Sequence, residues 1–129
     1  MEQQNQNKEF IIRYFNAISG VIKTQKLLED YITDEELLGH IAYFDSAFPK
    51  YEMFADEMTS EGNRVVVRAR WNGYHEGELN GILPTHRKVE MPFGISYEIE
   101  NDKIAQHWLI QDHLLQLKFN DRNILNYDV

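Results

Sequence analysis

Arg64-Val65-Val66-Val67-Arg68-Ala69-Arg70-Trp71-Asn72-Gly73-Tyr74-His75 is the stretch whose reading decides the fold. A period of two puts Val65, Val67, Ala69, Trp71 and His75 on one face, with Val66, Arg68, Arg70, Asn72 and Tyr74 on the other. A helix would not sort apolar and charged residues this way, so the stretch is a long strand whose first face meets a core. Upstream, Glu61-Gly62-Asn63 turns the chain, and Tyr51, Met53 and Ala55 alternating with Glu52, Phe54 and Asp56 predict a first strand. Downstream, Gly73, Gly77, Gly81 and Pro84 punctuate a loop, and Lys88 to Glu100 predicts a third strand through Met91, Phe93, Ile95, Tyr97 and Ile99. Asn101 and Asp102 turn the chain into a fourth strand, Lys103 to His113. Regular alternation there groups Ile104, Trp108, Ile110 and Asp112 on one face. Ala105, His107, Leu109 and His113 fall opposite, which assigns His107 to the outer sheet surface.

Before Pro49 the period is helical. Phe10, Ile11, Tyr14, Phe15 and Ile18 form one stripe over Lys8 to Ile18, and Leu27, Leu28 and Tyr31 mark a short helix from Thr24 to Ile32. Thr33-Asp34-Glu35-Glu36 matches a capping box opening a third helix, with Leu37, Leu38, Ile41, Phe44 and Phe48 inward. Helices followed by four antiparallel strands make an α+β domain, in which a curved sheet wraps the helices and leaves a cone suited to a small apolar ligand. The whole chain, residues 1–129, reads as one such domain, with residues 1–7 expected to be disordered.

Composition narrows the function. At 129 residues and 43% apolar content there is one core and no room for a second domain. The absence of cysteine removes disulfides, thiolate metal sites and cysteine nucleophiles together. A net charge of -8 opposes binding to phosphate backbones, so nucleic acid is not an expected partner. Residues before Gly62 carry 5 basic and 12 acidic side chains, which reads as solvated helix faces. No apolar run approaches the roughly 20 residues that span a bilayer, and the first residues lack a secretory pattern, so a cytoplasmic protein without membrane contact is expected.

Two residues stand out as chemical candidates. Asp112 shares its predicted face with Trp108 and Ile110, where desolvation would favour the protonated acid and suit it to general acid or base work; a solvated position at the strand end is the alternative. His75 ends the apolar row of the long strand, where a histidine is either a hydrogen-bonded core residue or a pocket group. Trp71, Trp108, Tyr14, Phe48 and Phe93 could line an aromatic-ligand pocket or simply fill the core. The glycine run has neither the spacing nor the following helix of a phosphate loop, no histidine pair has metalloprotease spacing, and no Gly-x-Ser-x-Gly elbow occurs. No metal site and no cofactor is expected.

Gly73-Tyr-His75-Glu-Gly77-Glu-Leu-Asn-Gly81-Ile82-Leu-Pro84-Thr85 resembles the Gly-x-His-x-Gly-x-x-x-Gly-Ile-x-Pro-Thr segment of the SnoaL-like polyketide cyclases, within the nuclear transport factor 2-like superfamily. Three further segments agree in order: Ala47-Phe48-Pro49, Glu61-Gly62-Asn63-Arg64-Val65, and Lys103-Ile104-x-x-His107-Trp108-x-x-x-Asp112. The resemblance covers about residues 8–117 and implies a cone-shaped α+β barrel that pairs as a homodimer through its sheet. It further implies a cofactor-free aldol closure in which the strand aspartate, Asp112 here, is the general acid/base, with His75 as a pocket residue. His86, Lys50 and Asn63 depart from the family pattern near the expected pocket mouth.

Two function classes follow. In one, Asp112 moves a proton alpha to a carbonyl of a small hydrophobic compound, His75 steadies the enolate oxygen, and Trp71 and Trp108 wall the pocket, giving a lyase or isomerase. In the other, the same cone binds a small hydrophobic metabolite without chemistry; a weaker variant is an interaction module whose cone is filled by its own side chains.

Overall fold

A computed structural model of the chain describes residues 2–110. Three helices, α1 (Glu2–Ile18), α2 (Gln25–Glu29) and α3 (Glu35–Ala47), precede four strands, β1 (Glu52–Glu61), β2 (Arg64–Tyr74), β3 (Lys88–Glu100) and β4 (Lys103–Leu109). The strands form one antiparallel meander in the order β1-β2-β3-β4. Among the described residues, this is the α+β fold expected from the change of period at Pro49.

Residues 2–7 are not disordered. They form the first turns of α1, because Asn7 is buried with its amide donating to Gly62 O at 3.2 Å, while Gln4 O accepts from Ser60 Oγ at 3.1 Å. The β1–β2 turn thus gives an otherwise polar segment tertiary partners. Farther along α1, Phe10, Ile11, Tyr14, Phe15 and Ile18 are buried at helical spacing against the sheet. Val65, Val67, Ala69 and Trp71 of β2 lie beneath this core, and Val66, Arg68 and Arg70 point away. Each buried aliphatic side chain of this kind stabilises the fold by about 1.5–3 kcal/mol.

The cap of α3 is one residue later than the capping box predicts. Asp34 is the N-cap, its Oδ1 accepting from the N–H groups of Glu36 (3.0 Å) and Leu37 (3.2 Å). Thr33 is occupied elsewhere: its N–H donates to Ile104 O at 2.9 Å and its hydroxyl to the same carbonyl at 3.3 Å. Ile104 N donates to Tyr31 O at 2.8 Å, so the linker between α2 and α3 runs along the β4 edge as a short parallel bridge, Ile32 to Ile104. That pairing covers part of an exposed sheet edge and brings Asp34 beside β4.

Both outer strands carry a bulge. Ala55 pairs with Ala69 but Glu57 with Arg68, so Asp56 is extra in β1. Ile99 pairs with Ile104 but Glu98 with Gln106, so Ala105 is extra in β4. An extra residue exchanges the two faces of everything after it. Ile104 is buried ahead of the bulge, and beyond it His107 and Leu109 take the inner face, paired with Tyr97 and Ile95.

Candidate active site

A cavity of about 510 Å³ lies between the inner face of the sheet and the helices. α3 contributes Leu37, Ile41 and Phe44 to its wall, β1 contributes Met53, and the sheet contributes Trp71, Met91 and Ile95. Exposed His40, Tyr43 and Asn80 stand at its rim. Tyr43 and Asn80 hold the β2–β3 loop to α3: the Tyr43 hydroxyl donates to Asn80 Oδ1 at 2.9 Å and accepts from Asn80 N–H at 2.8 Å.

His107 is the polar feature of this wall that regular alternation misassigns. Its side chain is only 6% exposed, and Nδ1 lies 2.6 Å from Asp34 Oδ2. A carboxylate only accepts, so Nδ1 carries the proton and Nε2 of the neutral ring keeps its lone pair. Nε2 makes no hydrogen bond among the described residues; the nearest acid is exposed Glu36, whose Oε1 is 3.8 Å away. His40 packs edge-on against the His107 ring at 6.3 Å. Asp34 is oriented in turn by the two amides at the start of α3. The arrangement is a histidine held in one tautomer by a helix-anchored carboxylate, which is how a neutral imidazole is prepared to accept a proton.

Three buried tyrosines also line the cavity: Tyr14 from α1, Tyr51 just before β1 and Tyr97 from β3. Burial pushes all three phenols above the ordinary tyrosine range, so they remain protonated donors at neutral pH. Tyr51 is fixed by its backbone, whose carbonyl accepts from Gly20 N at 3.2 Å and from Lys23 Nζ at 2.8 Å.

The residues singled out by sequence do not all converge. Tyr14, Trp71 and Phe93 line the cavity. Phe48 does not: it is fully buried behind Trp71, with ring centroids 4.9 Å apart. Trp108 is on the outer face, 44% exposed under the Arg64 guanidinium, because the Ala105 bulge reverses its side. His75 has no accessible surface and is absent from the cavity wall; it stacks on Phe48 at 5.4 Å, and Nδ1 accepts from Thr85 N–H at 3.1 Å. Burial lowers its affinity for a proton, as suits a neutral core histidine. Asp112 lies outside the described residues.

His107, Asp34, Tyr51 and Tyr97 went unrecognised as pocket residues. The alternation of β4 carries no signal for His107, because the apolar Trp108 and Ile110 share the parity of Ile104 and support the regular reading.

Among the described residues no group of histidines and carboxylates could hold a metal ion, and no helix is long and apolar enough to cross a membrane. The family model of SnoaL-like polyketide cyclases matches residues 12–118. Solved structures agree in fold. AclR of Streptomyces galilaeus, described as a candidate hydroxylase, is 16% identical with a TM-score of 0.75, over 92% of this chain and 83% of that one. A candidate SnoaL-like polyketide cyclase of Jannaschia sp. CCS1 is 21% identical with a TM-score of 0.73, over 89% and 91%. IdmH of Streptomyces antibioticus, a candidate polyketide cyclase, is 20% identical with a TM-score of 0.69, over 90% and 99%. At these identities the structural likeness speaks to fold alone. No curated protein matches the sequence.

Proposed function

Because the chain belongs to the SnoaL-like polyketide cyclase family, we propose that it is a cofactor-free acid/base enzyme of the aldol-cyclase, lyase or isomerase type, acting on a small hydrophobic carbonyl compound in the cavity. One observation carries the reading: His107, on the wall of a largely apolar cavity, is held by Asp34 through Nδ1, while Nε2 makes no hydrogen bond among the described residues. In the reaction, Nε2 takes a proton from the carbon alpha to a carbonyl and the C–H pair becomes the enolate. Asp34 faces the resulting imidazolium and offsets its charge. The enolate carbon then adds to a second carbonyl of the same molecule, whose C=O π pair becomes an alkoxide that takes the proton from Nε2, or the enolate is reprotonated by Nε2 at another carbon of its conjugated system. Proton transfers alone balance either outcome. Asp112, which the family motif makes the acid/base residue, would act as the partner acid.

Hydrogen–deuterium exchange alpha to the carbonyl of 2-tetralone, followed by NMR in D₂O, tests the reading. Wild type accelerates exchange, and His107→Gln loses at least about tenfold of that acceleration. Equal rates in wild type and His107→Gln remove His107 as the base; Asp112→Asn, measured alongside, shows whether the motif aspartate carries the step instead. A bound ketone that never exchanges favours a binding domain.

A further inference from the structure

His107 has little contact with bulk water. Nδ1 is occupied by Asp34 Oδ2 at 2.6 Å, and the side chain is 6% exposed. The ring also forms part of the cavity wall, so a bound ligand covers it from that side. A proton that Nε2 takes from the ligand can return to the ligand, but it reaches solvent only through a neighbouring group. Glu36 is placed for this. Its Oε1 stands 3.8 Å from Nε2, while its side chain is 82% exposed. That separation is about 1 Å longer than a hydrogen bond, a gap that rotation about the side-chain bonds of an exposed glutamate closes. The helix sets the placement: Asp34 is the N-cap of α3 and Glu36 lies in its first turn, so one turn of backbone presents a carboxylate to each nitrogen of the ring. The two acids differ in freedom. Asp34 is fixed by the amides of Glu36 and Leu37, whereas the Glu36 carboxylate has no other partner among the described residues. His40, four residues after Glu36 and on the same face of α3, meets the His107 ring edge-on at 6.3 Å, a ring contact rather than a hydrogen bond.

We propose that Glu36 is the proton exit of His107, carrying between Nε2 and water the proton that the histidine exchanges with its ligand. The Nε2–H bond breaks, its electron pair stays on the ring as the lone pair, and the proton forms the O–H bond of the Glu36 carboxylic acid. The acid then gives the proton to water or to a buffer base, which restores the carboxylate. The reverse sequence brings a solvent proton in. Glu36 thereby sets how often a proton returns to the ligand it came from and how often it is replaced from solvent. The inference rests on His107 being the base of the proposed function, and it adds the residue that resets that base.

The test measures exchange of the alpha protons of 2-tetralone in D₂O by NMR, in dilute and in concentrated phosphate, with the rate of buffer alone subtracted. Wild type exchanges at the same rate in both, within about twofold. Glu36→Gln removes the proton-accepting carboxylate and keeps the shape of the side chain. It loses at least about fivefold in dilute phosphate and recovers to within about twofold of wild type in concentrated phosphate, because the buffer base takes over the transfer. Its melting temperature stays at that of wild type, since the side chain is exposed. A loss that buffer does not restore marks a positional role and overturns the relay, as does a rate equal to wild type in dilute phosphate. A buffer-restored loss in His40→Gln with none in Glu36→Gln moves the exit to His40 and overturns it too. His107→Gln separates this inference from the reading beneath it. Exchange lost in His107→Gln but untouched in Glu36→Gln counts against the relay alone. Exchange at the wild-type rate in His107→Gln, or none in wild type, removes His107 as the base and the relay with it.

Discussion

His107 Nδ1 lies 2.6 Å from Asp34 Oδ2, joining the fourth strand of the sheet to the N-cap of α3. One carboxylate therefore does two jobs, with Oδ1 on the helix amides and Oδ2 on the imidazole.

The two jobs separate by substitution. Asp34→Asn keeps a good N-cap, so its melting temperature stays near wild type, whereas Asp34→Ala loses the cap and about 1 kcal/mol. Both lower ketone exchange by at least about tenfold, because neither offsets the imidazolium charge. Thermal melts beside the NMR exchange assay check this; an Asp34→Asn variant with full exchange activity removes the carboxylate from the chemistry.

Trp71 and Trp108 occupy opposite faces, and their fluorescence separates them. Trp108→Phe leaves Trp71, 7% exposed, with blue-shifted emission that resists iodide quenching. Trp71→Phe leaves Trp108, 44% exposed, with red-shifted and readily quenched emission. Two shielded indoles would mean that the bulge at Ala105 does not reverse the strand.

His75 gives stability a dependence on mild acid. Desolvation lowers its folded-state pKa, so the unfolded chain takes up a proton that the folded chain refuses. This contribution is fully present above the unfolded value of about 6.5 and is lost as pH falls through the folded value. Melting temperature drops from pH 7.5 toward pH 5 in wild type and drops less in His75→Gln. Parallel curves for the two proteins would show that His75 does not titrate on unfolding.

The alkaline side belongs to the tyrosines. Burial raises the folded-state pKa of Tyr14, Tyr51 and Tyr97, so their contribution is intact below about pH 10 and is lost as pH climbs toward the folded values. Absorbance at 295 nm therefore shows fewer than the 7 tyrosines of the chain ionising near pH 10, and the remainder appear with unfolding. A single smooth transition of all of them in the folded protein contradicts their burial.

Gly77 has no space for a side chain. A Cβ there would stand 2.0 Å from the Ser46 carbonyl oxygen, and Gly77 N donates to Ala47 O at 3.1 Å. Gly77→Ala must push the loop off the end of α3, costing about 1–3 kcal/mol in a thermal melt.

The local pattern made most of the fold legible. Val65, Val67, Ala69 and Trp71 alternate so cleanly with arginines that only one face of β2 could meet a core, and the bounds of β3 follow its alternation from Lys88 to Glu100. Thr33 failed as a cap because a tertiary partner, the Ile104 carbonyl, competes for its donors. Residues 2–7 look disordered by composition, yet the β1–β2 turn satisfies Asn7 and Gln4.

By itself the sequence determined what local physics determines: which segments are helix or strand, which faces are apolar, and, through four ordered motifs, the family. Only the tertiary structure decided which histidine reaches the cavity. His75 was legible as inward and is inward, but Phe48 stands beside it and the cavity wall runs elsewhere. His107 was legible as outward and is inward, because one extra residue at Ala105 exchanges the faces of the strand. A bulge changes the register between two strands without changing the residues of either. Its place is set by the hydrogen bonds that the α2–α3 linker and β3 offer to β4, which no periodicity within β4 records.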